Sequence, residues 1–278
     1  VDTKIKLAKT HRVKRKVFEK TFTSKMIKNT QTSPNGKTII FTSLGHIYKK
    51  ELPNGTPKRI TNLTDFEAEP NFSPDGKSIL FVTWNDTELG AVYKVNLNGS
   101  NLKKLTTIKG IYRTPSFNNS GSKIVYRKEG GNGDQGFDYS VNTGIYIANI
   151  NGKNAKKIAD NGEFPQFSAD NKRIFFQTGG SFMGGLTKRL QSVDLNGKNQ
   201  KSHFVSKLAN RLVPSKDNKW ISFIHLHKLY IAPMVLNGSE INLDGNTKSI
   251  HVESLSKNAG INLHWSFSND KVHWTLGD

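Results

Sequence analysis

The sequence contains no cysteine among its 278 residues. This absence excludes a disulfide framework and thiolate chemistry, and it fits a cytoplasmic and a periplasmic protein equally well. Long apolar runs are missing too, since none approaches the roughly 18 residues of a membrane span or resembles the apolar core of a signal peptide. The chain begins at Val1, so we expect that a leader has been removed or the sequence trimmed, and we expect no membrane span.

Acidic residues are scarce, with 22 Asp and Glu against 41 Lys and Arg, which gives a net charge of +19. Residues 1–28 hold ten basic and two acidic residues, a net charge of +8. Much of the remaining charge falls in turns, where lysine solvates loops and protects edge strands. A charge of this size attracts polyanions, but no recognised nucleic-acid-binding motif accompanies it. We therefore expect no specific nucleic-acid partner.

The motifs of common catalytic and cofactor sites are also absent. The sequence has no D-x-[DN]-x-[DN]-G calcium loop, no P-loop and no G-x-S-x-G nucleophile elbow. It therefore predicts no catalytic residue, no cofactor and no metal site. Carboxylates that are distant in sequence can still converge in a fold, so whether the full-length protein is an enzyme stays open.

What the sequence does contain is a repeat, clearest at residues 72–81 (F-S-P-D-G-K-S-I-L-F). Its Ser-Pro-Asp-Gly-Lys segment is typical of a turn, and the following Ile-Leu-Phe is typical of a strand. Copies begin at residues 32, 72, 117, 167, 214 and 265, and they weaken toward the C-terminus. The intervals of 40 to 51 residues match the period of four-stranded propeller blades.

Each copy carries further strand signals. An Asn-Gly pair, at residues 54–55, 98–99, 151–152, 196–197 and 237–238, is expected to form a tight hairpin with both residues at positive φ. An aromatic residue lies two positions past the aligned Ile or Val and is predicted to fill the core between blades: Phe41, Phe81, Tyr126, Phe176, Phe223 and Trp274. These patterns predict an all-β fold, a six-bladed β-propeller of four-stranded antiparallel blades.

The last repeat stops after the equivalent of two strands. Residues 11–28 contain apolar residues spaced among lysines and are long enough to supply the two missing strands. We therefore predict that the ring is closed by the N-terminal segment, with residues 1–28 completing the last blade and residues 29–278 forming the propeller.

Two short motifs imitate functional sites. Residues 131–136 spell G-x-G-x-x-G, but a dinucleotide site needs a helix after this motif, and the following residues lack a helical period. They are interpreted as a long loop. This loop and residues 179–185 could overhang one face of the ring and bind a ligand, or could be disordered excursions. His225 and His227 form an H-x-H pair, but the repeat places them in an ordinary turn between strands, and no third ligand is near in sequence.

The candidate binding site follows from the geometry of a propeller, because the innermost strand of each blade lines the central channel. The positions three or four residues before each repeat start give the candidates Asn29, Glu69, Arg113, Glu163, Arg211 and Asn262. This polar mouth of mixed charge suits hydrogen bonding to a protein, a peptide or a carbohydrate. Alternatively, these acids and arginines pair with one another and only satisfy a polar channel.

The Ser-Pro-Asp-Gly-Lys turn, the Ile-x-Phe strand, the Ile-Tyr strand and the Asn-Gly turn together resemble the TolB-type, WD40-like (PD40) propeller repeat over roughly residues 28–278. The resemblance is specific for fold and weak for function, because such blades serve many proteins. A narrower resemblance, carried by residues 10–15, 53–62 and 273–278, is to the N-terminal propeller that precedes the catalytic barrel in large secreted bacterial amidohydrolase-like proteins.

These resemblances imply a periplasmic or secreted protein. They imply a non-catalytic propeller for protein interaction, ligand binding or substrate gating, which belongs to a larger exported hydrolase with a downstream catalytic domain. One alternative is a stand-alone propeller enzyme such as a polysaccharide lyase. Another is a TolB-like component of an envelope complex, but only about 30 residues precede the first repeat, too few for the α/β domain that precedes the propeller in that group.

Overall fold

Strands make up all the regular structure in the part of the chain that the computed structural model describes, residues 23–24, 26–132, 137–138, 140–180 and 186–276. These residues form twenty-five strands and no helix. All but one of the strand pairs are antiparallel. The all-β propeller predicted from the repeats is therefore confirmed in kind.

Five blades of at least four strands follow one another along the chain, and each begins with the strand nearest the central channel. Blade 1 consists of β1 (Lys28–Thr32), β2 (Thr38–Ser43), β3 (His46–Glu51) and β4 (Lys58–Arg59). Blade 2 consists of β5 (Phe66–Phe72), β6 (Ser78–Asn85), β7 (Leu89–Asn96) and β8 (Lys103–Lys104). Blade 3 consists of β9 (Ile111–Phe117), β10 (Lys123–Glu129), β13 (Gly144–Asn149) and β14 (Lys156–Ala159), with the ribbon of β11 (Gly131–Asn132) and β12 (Phe137–Asp138) between its second and third strands.

The later blades are less regular. Blade 4 consists of β15 (Glu163–Phe167), β16 (Arg173–Thr178), β17 (Lys188–Asp194) and β18 (Lys201–Ser206), and blade 5 of β19 (Ala209–Pro214), β20 (Trp220–His225), β21 (Lys228–Pro233) and β23 (Glu253–Ser254). The strand β22 (Ile241–Asn242) leaves blade 5 and pairs in parallel with β18, so it ties the two blades together. The chain ends in a two-stranded hairpin of β24 (Ile261–Trp265) and β25 (Val272–Thr275).

The predicted count of six four-stranded blades is wrong for the described residues, which form five blades and this hairpin. Strand β24 contacts β1 on one side and β19 on the other, so the hairpin occupies the sector between blade 5 and blade 1. The predicted closure by residues 11–28 lies mostly outside the described residues. Of that segment, Lys28 begins β1, and Ser24 and Met26 hydrogen-bond to Ser43 of blade 1.

The core aromatics behave as the repeat predicts in the five blades. Phe41, Phe81, Tyr126, Phe176 and Phe223 are buried. Four of them stack on the tyrosine directly opposite on the third strand, with ring centres 5.3 to 5.8 Å apart. Trp274 is the exception, at 36% exposed, because no third strand covers it within the described hairpin.

The Asn-Gly turns are not the tight two-residue hairpins that the sequence predicts. In blade 2, Gly99 has a φ of +85°, whereas Asn98 does not enter the left-handed region and Asn101 does. The Gly99 amide donates to the Asn96 carbonyl, and the Asn96 amide donates to the Ser100 carbonyl. The turn is therefore longer, with glycine at its single bulge position, and the same pattern recurs at Gly152 and Gly197.

The turns between first and second strands interlock from blade to blade by two alternative means. Where a turn carries proline, which has no amide hydrogen, the next blade places glycine against it, as with Pro34 and Gly76. Where a residue other than proline occupies this position, its backbone amide can donate a hydrogen bond. The next blade then places an asparagine in the left-handed region, and the side-chain oxygen of that asparagine accepts the bond. The amides of Asn119, Ala169 and Lys216 donate to Asn171, Asn218 and Asn269 over 2.6 to 2.9 Å.

Acid is expected to weaken the fold through His203, which is 5% exposed on β18 and lies 2.7 Å from the Ser192 hydroxyl. Burial, with the nearby charges of Arg173 and Lys201, lowers its pKa to about 4. Below pH 6.5 His203 therefore binds a proton in the unfolded chain but stays neutral in the folded chain, so the free energy of unfolding decreases as the pH falls. We expect His203 to account for a loss of about 2–3 kcal/mol between pH 7 and pH 4.5.

Urea unfolding at both pH values tests this expectation. His203→Gln keeps a hydrogen-bonding side chain and removes the titration, so its stability should fall less than that of the wild type. The control His251→Gln replaces an exposed histidine. Equal acid losses in the wild type and His203→Gln would contradict the prediction.

Candidate functional site

The central channel holds a cavity of about 520 Å³. The first strands of all five blades and β24 contribute to its wall. It extends from Asn210, Ile224 and Ile261, near the start of these strands, to Lys216 and Phe267, in the turns that follow them. The end at which the first strands begin is called the strand-start face below, and the opposite end is called the hairpin-turn face.

A bulge at the same position in each first strand shapes the wall of this cavity. The pairing between first and second strands shifts register there in all five blades and in the hairpin. Five of the six equivalent residues have a φ between 47° and 55°: Asn29, Glu69, Thr114, Phe164 and Asn262. Such a conformation costs a non-glycine residue roughly 1–3 kcal/mol and is typical of ligand-binding positions.

Five of the six candidates from the sequence line the cavity: Asn29, Glu69, Arg113, Arg211 and Asn262. Glu163 does not line the cavity, and its neighbour Phe164, at the bulge of β15, takes the lining position. The sequence could not resolve this one-residue difference, since the bulge has no consistent residue type.

Ion pairs join the charged side chains of blades 2, 3 and 4. Arg113 contacts Glu69 at 2.6 Å and Glu129 at 3.4 Å, and Arg127 bridges Glu129 and Glu163 at 3.2 and 3.4 Å. Burial opposes the charge of Arg113, but Glu69 and Glu129 outweigh it, so the pKa of Arg113 is raised. In this sector the acids and arginines pair with one another.

Three members of this network were missed by the sequence reasoning. Arg127 and Glu129 lie on the second strand of blade 3, and Lys188, which contacts Glu163 at 3.2 Å, lies on the third strand of blade 4. The register between the first two strands of blade 3 could have identified Arg127, because Arg127 lies directly opposite Arg113.

Arg211 differs from Arg113 in having no carboxylate within ion-pair distance among the described residues. Its guanidinium carbon lies 3.1 Å from the centre of the Phe164 ring. Its Nε is buried and has no hydrogen-bond partner in the described part of the chain. Burial lowers the pKa of Arg211 to about 9, although the charges of Glu69 and Glu163 act in the opposite direction, so the group is still a cation at neutral pH.

Two further groups line the same sector. The Lys216 amine lies 3.7 Å from the centre of the Phe267 ring, and burial lowers its pKa to about 8. His264 stacks on His273 with its Nδ1 3.0 Å from the Asn262 carbonyl. Burial, followed by the neighbouring His273 and Arg211, lowers the pKa of His264 to about 4 despite the Asn262 contact. His264 is therefore neutral at pH 7.

The described residues of the two motifs that imitate functional sites do not line this cavity. His225 ends β20, and Leu226 and His227 form the turn to β21 at φ values of 47° and 73°, as the repeat predicts. Within the described ranges, no three His, Asp or Glu side chains converge as metal ligands would. Of the G-x-G-x-x-G motif, residues 131–132 begin a short ribbon and residues 133–136 lie outside the described residues. No described helix is long and apolar enough to span a membrane.

Solved structures with the same fold differ widely in sequence. A structure described as TolB from Agrobacterium tumefaciens is 16% identical over 91% of each chain, with a TM-score of 0.67. TolB from Acinetobacter baumannii is 20% identical over 84% of this chain and 55% of its own, with a TM-score of 0.59. Oligogalacturonate lyase from Vibrio parahaemolyticus is 12% identical over 88% of this chain and 72% of its own, with a TM-score of 0.61.

Identities this low establish a shared fold and nothing further. No curated protein sequence matches the chain significantly. The TolB beta propeller domain, PD40, matches residues 4–211, about three quarters of the sequence. That match agrees with the resemblance carried by the repeats, and the chain belongs to the TolB beta propeller domain family.

Proposed function

We propose that this propeller is a non-catalytic binding domain that takes an extended segment of a protein partner into its central channel. One observation carries the proposal: Ile261 both lines the channel cavity and belongs to an exposed apolar cluster at the strand-start face. The other members of this cluster are Leu208 and Leu226. The Leu226 amide donates to the Leu208 carbonyl, and the Gly260 amide donates to the His227 carbonyl, so the three side chains belong to adjoining segments.

Exposed apolar side chains are strongly biased to this face. Eleven of the fifteen large exposed ones among the described residues either precede a first or third strand, begin a first strand, occupy a turn between second and third strands, or follow β25. They are Met26, Ile27, Leu44, Phe66, Ile108, Val141, Leu186, Leu208, Leu226, Ile261 and Leu276. Single exposed apolar residues need no explanation, but their concentration on one face is typical of a protein-binding surface.

The channel suits an extended backbone. Its wall presents the amide side chains of Asn29, Gln31, Gln166 and Asn262, which both donate and accept hydrogen bonds. A peptide that crosses the apolar cluster could therefore bury an apolar side chain at the mouth and satisfy its backbone groups inside.

An array of extended peptides of about twelve residues tests the proposal. We expect the wild type to bind a subset of them and Leu226→Asp to lose about 10-fold to 100-fold in affinity, because burying a leucine is worth about 1.5–3 kcal/mol. Leu102→Asp is the matched control, since Leu102 is 40% exposed but lies on the hairpin-turn face, whereas Leu226 is 57% exposed. Equal losses for both variants, or no bound peptide, would overturn the proposal.

The wider context is also part of this proposal. A periplasmic or secreted location, a larger exported hydrolase and closure of the ring by residues 1–28 remain predictions. Sequencing the gene on both sides of residues 1–278 tests for a downstream catalytic barrel. The likeness to a lyase concerns the fold alone, so the stand-alone enzyme also stays an alternative.

A further inference from the structure

The channel contains two cations that have no ion-pair partner among the described residues. Four residues lining the cavity, Glu69, Arg113, Arg211 and Lys216, carry charge at neutral pH. Glu69 is fully engaged, because its carboxylate receives both Arg113 Nε and Nη2 and the Thr114 amide. Arg211 and Lys216 therefore remain without a carboxylate partner within the described residues.

The surroundings of Arg211 make this imbalance costly. A partly buried cation without an ion-pair partner loses part of its hydration, and this loss carries a free-energy cost. The depressed pKa values of Arg211 and Lys216, both caused by burial, agree with that loss. Any anion that enters the cavity recovers part of this cost.

The guanidinium is also held in a fixed orientation. It lies over the ring of Phe164, one of the residues held in the left-handed region at the channel bulges. A stacked guanidinium keeps its edge free, and that edge matches the two oxygens of a carboxylate.

We propose that Arg211 and Lys216 form a carboxylate-binding site inside the channel, and that the partner segment carries acidic residues to it. This inference rests on the proposed function, because it identifies the chemistry of the segment that enters. Arg211 lies on β19 and Lys216 in the turn after it, five residues apart, so their backbones are separated by about 15 Å along the channel. An extended peptide with acidic residues four or five positions apart reaches both cations.

Binding of hexaglutamate with blocked ends, measured by calorimetry at 150 mM salt, tests the inference. We expect Arg211→Gln to weaken binding about 10-fold to 100-fold, as the loss of a charged hydrogen-bonded pair should. The affinity of Arg211→Lys should lie between those of the wild type and Arg211→Gln, because lysine keeps the charge but loses the two-point contact. Lys77→Gln is the control for net charge, since Lys77 is exposed on the hairpin-turn face, and it should change affinity less than twofold.

Each alternative outcome has a distinct meaning. Equal effects of Arg211→Gln and Lys77→Gln would show that the peptide binds the basic surface, and this would overturn the carboxylate site. Tighter, Arg211-dependent binding of tetragalacturonate, with none of hexaglutamate, would overturn the peptide as the source of the carboxylate. If array peptides bind through Leu226 but ignore Arg211→Gln, the proposed function stands and the carboxylate site fails. If hexaglutamate binding needs Arg211 but no array peptide binds, the carboxylate site stands and the proposed function fails.

Discussion

Replacing Phe81 with alanine is expected to lower the free energy of unfolding by about 3–5 kcal/mol. Phe81 is 0% exposed on β6 and packs between blades 1 and 2 with Phe72, Ile40 and Ile47. Its ring also stacks on Tyr93 with the centres 5.6 Å apart. The truncation leaves a cavity that two sheets cannot close without losing their pairing, so the cost should exceed that of the lost apolar contact alone.

Urea unfolding measures this loss, and Phe66→Ala provides a matched control. Phe66 lies in the same blade but is half exposed, so its truncation should cost less than about 1 kcal/mol. A loss of that small size for Phe81 would contradict its place in the core.

Replacing Glu67 with alanine is expected to cost a similar 3–5 kcal/mol or so, for an electrostatic reason. The Glu67 carboxylate is fully buried on β5 and accepts the Ile47 amide at 3.0 Å and the Thr61 hydroxyl. His46 and Arg59 lie 3.5 and 4.0 Å away. Removing the carboxylate leaves donors from blade 1 unsatisfied in a place that water cannot reach.

Two controls separate this effect from the loss of surface charge. Glu67→Gln keeps an acceptor and should retain part of the stability. Glu88→Ala removes an exposed carboxylate that contacts Lys109 at 3.2 Å, and such pairs contribute about 0–1 kcal/mol. If Glu67→Ala and Glu88→Ala cost the same in urea unfolding, Glu67 does not join the blades.

The sequence alone predicted an all-β propeller, although not the number of its blades, because its strongest signal is local. The turn residues and the alternating strand that follows them repeat within each blade, so the first strands and core aromatics could be placed from their spacing. Glu67 illustrates what such a signal omits. The equivalent backbone amides of Val92 and Leu229 donate to the hydroxyls of Thr106 and Ser256. Because three different residue types accept the equivalent hydrogen bond, this contact leaves no repeat in the sequence.

The channel could be located but its electrostatics could not. Repeat alignment placed Arg113 and Arg211 in neighbouring positions, and nothing in their spacing separates them. The difference arises from Glu129, which a neighbouring strand supplies to Arg113, and from Phe164, which takes the place beside Arg211. Pairing across strands depends on register and on bulges, and both are properties of the folded sheet.

The interlocking turns imply that the blades cannot be exchanged freely. A copy of blade 2 placed after blade 4 would set Gly76 against the amide of Ala169, which would lose the acceptor that Asn218 provides. Placed after blade 1, the same glycine faces Pro34 and nothing is lost. The apparent weakening of the repeat toward the C-terminus therefore includes a change in how neighbouring turns contact each other, from proline against glycine to a backbone amide that donates to asparagine. Duplication of a single blade during evolution would keep these contacts only where the turns at both of its junctions use the same type of contact.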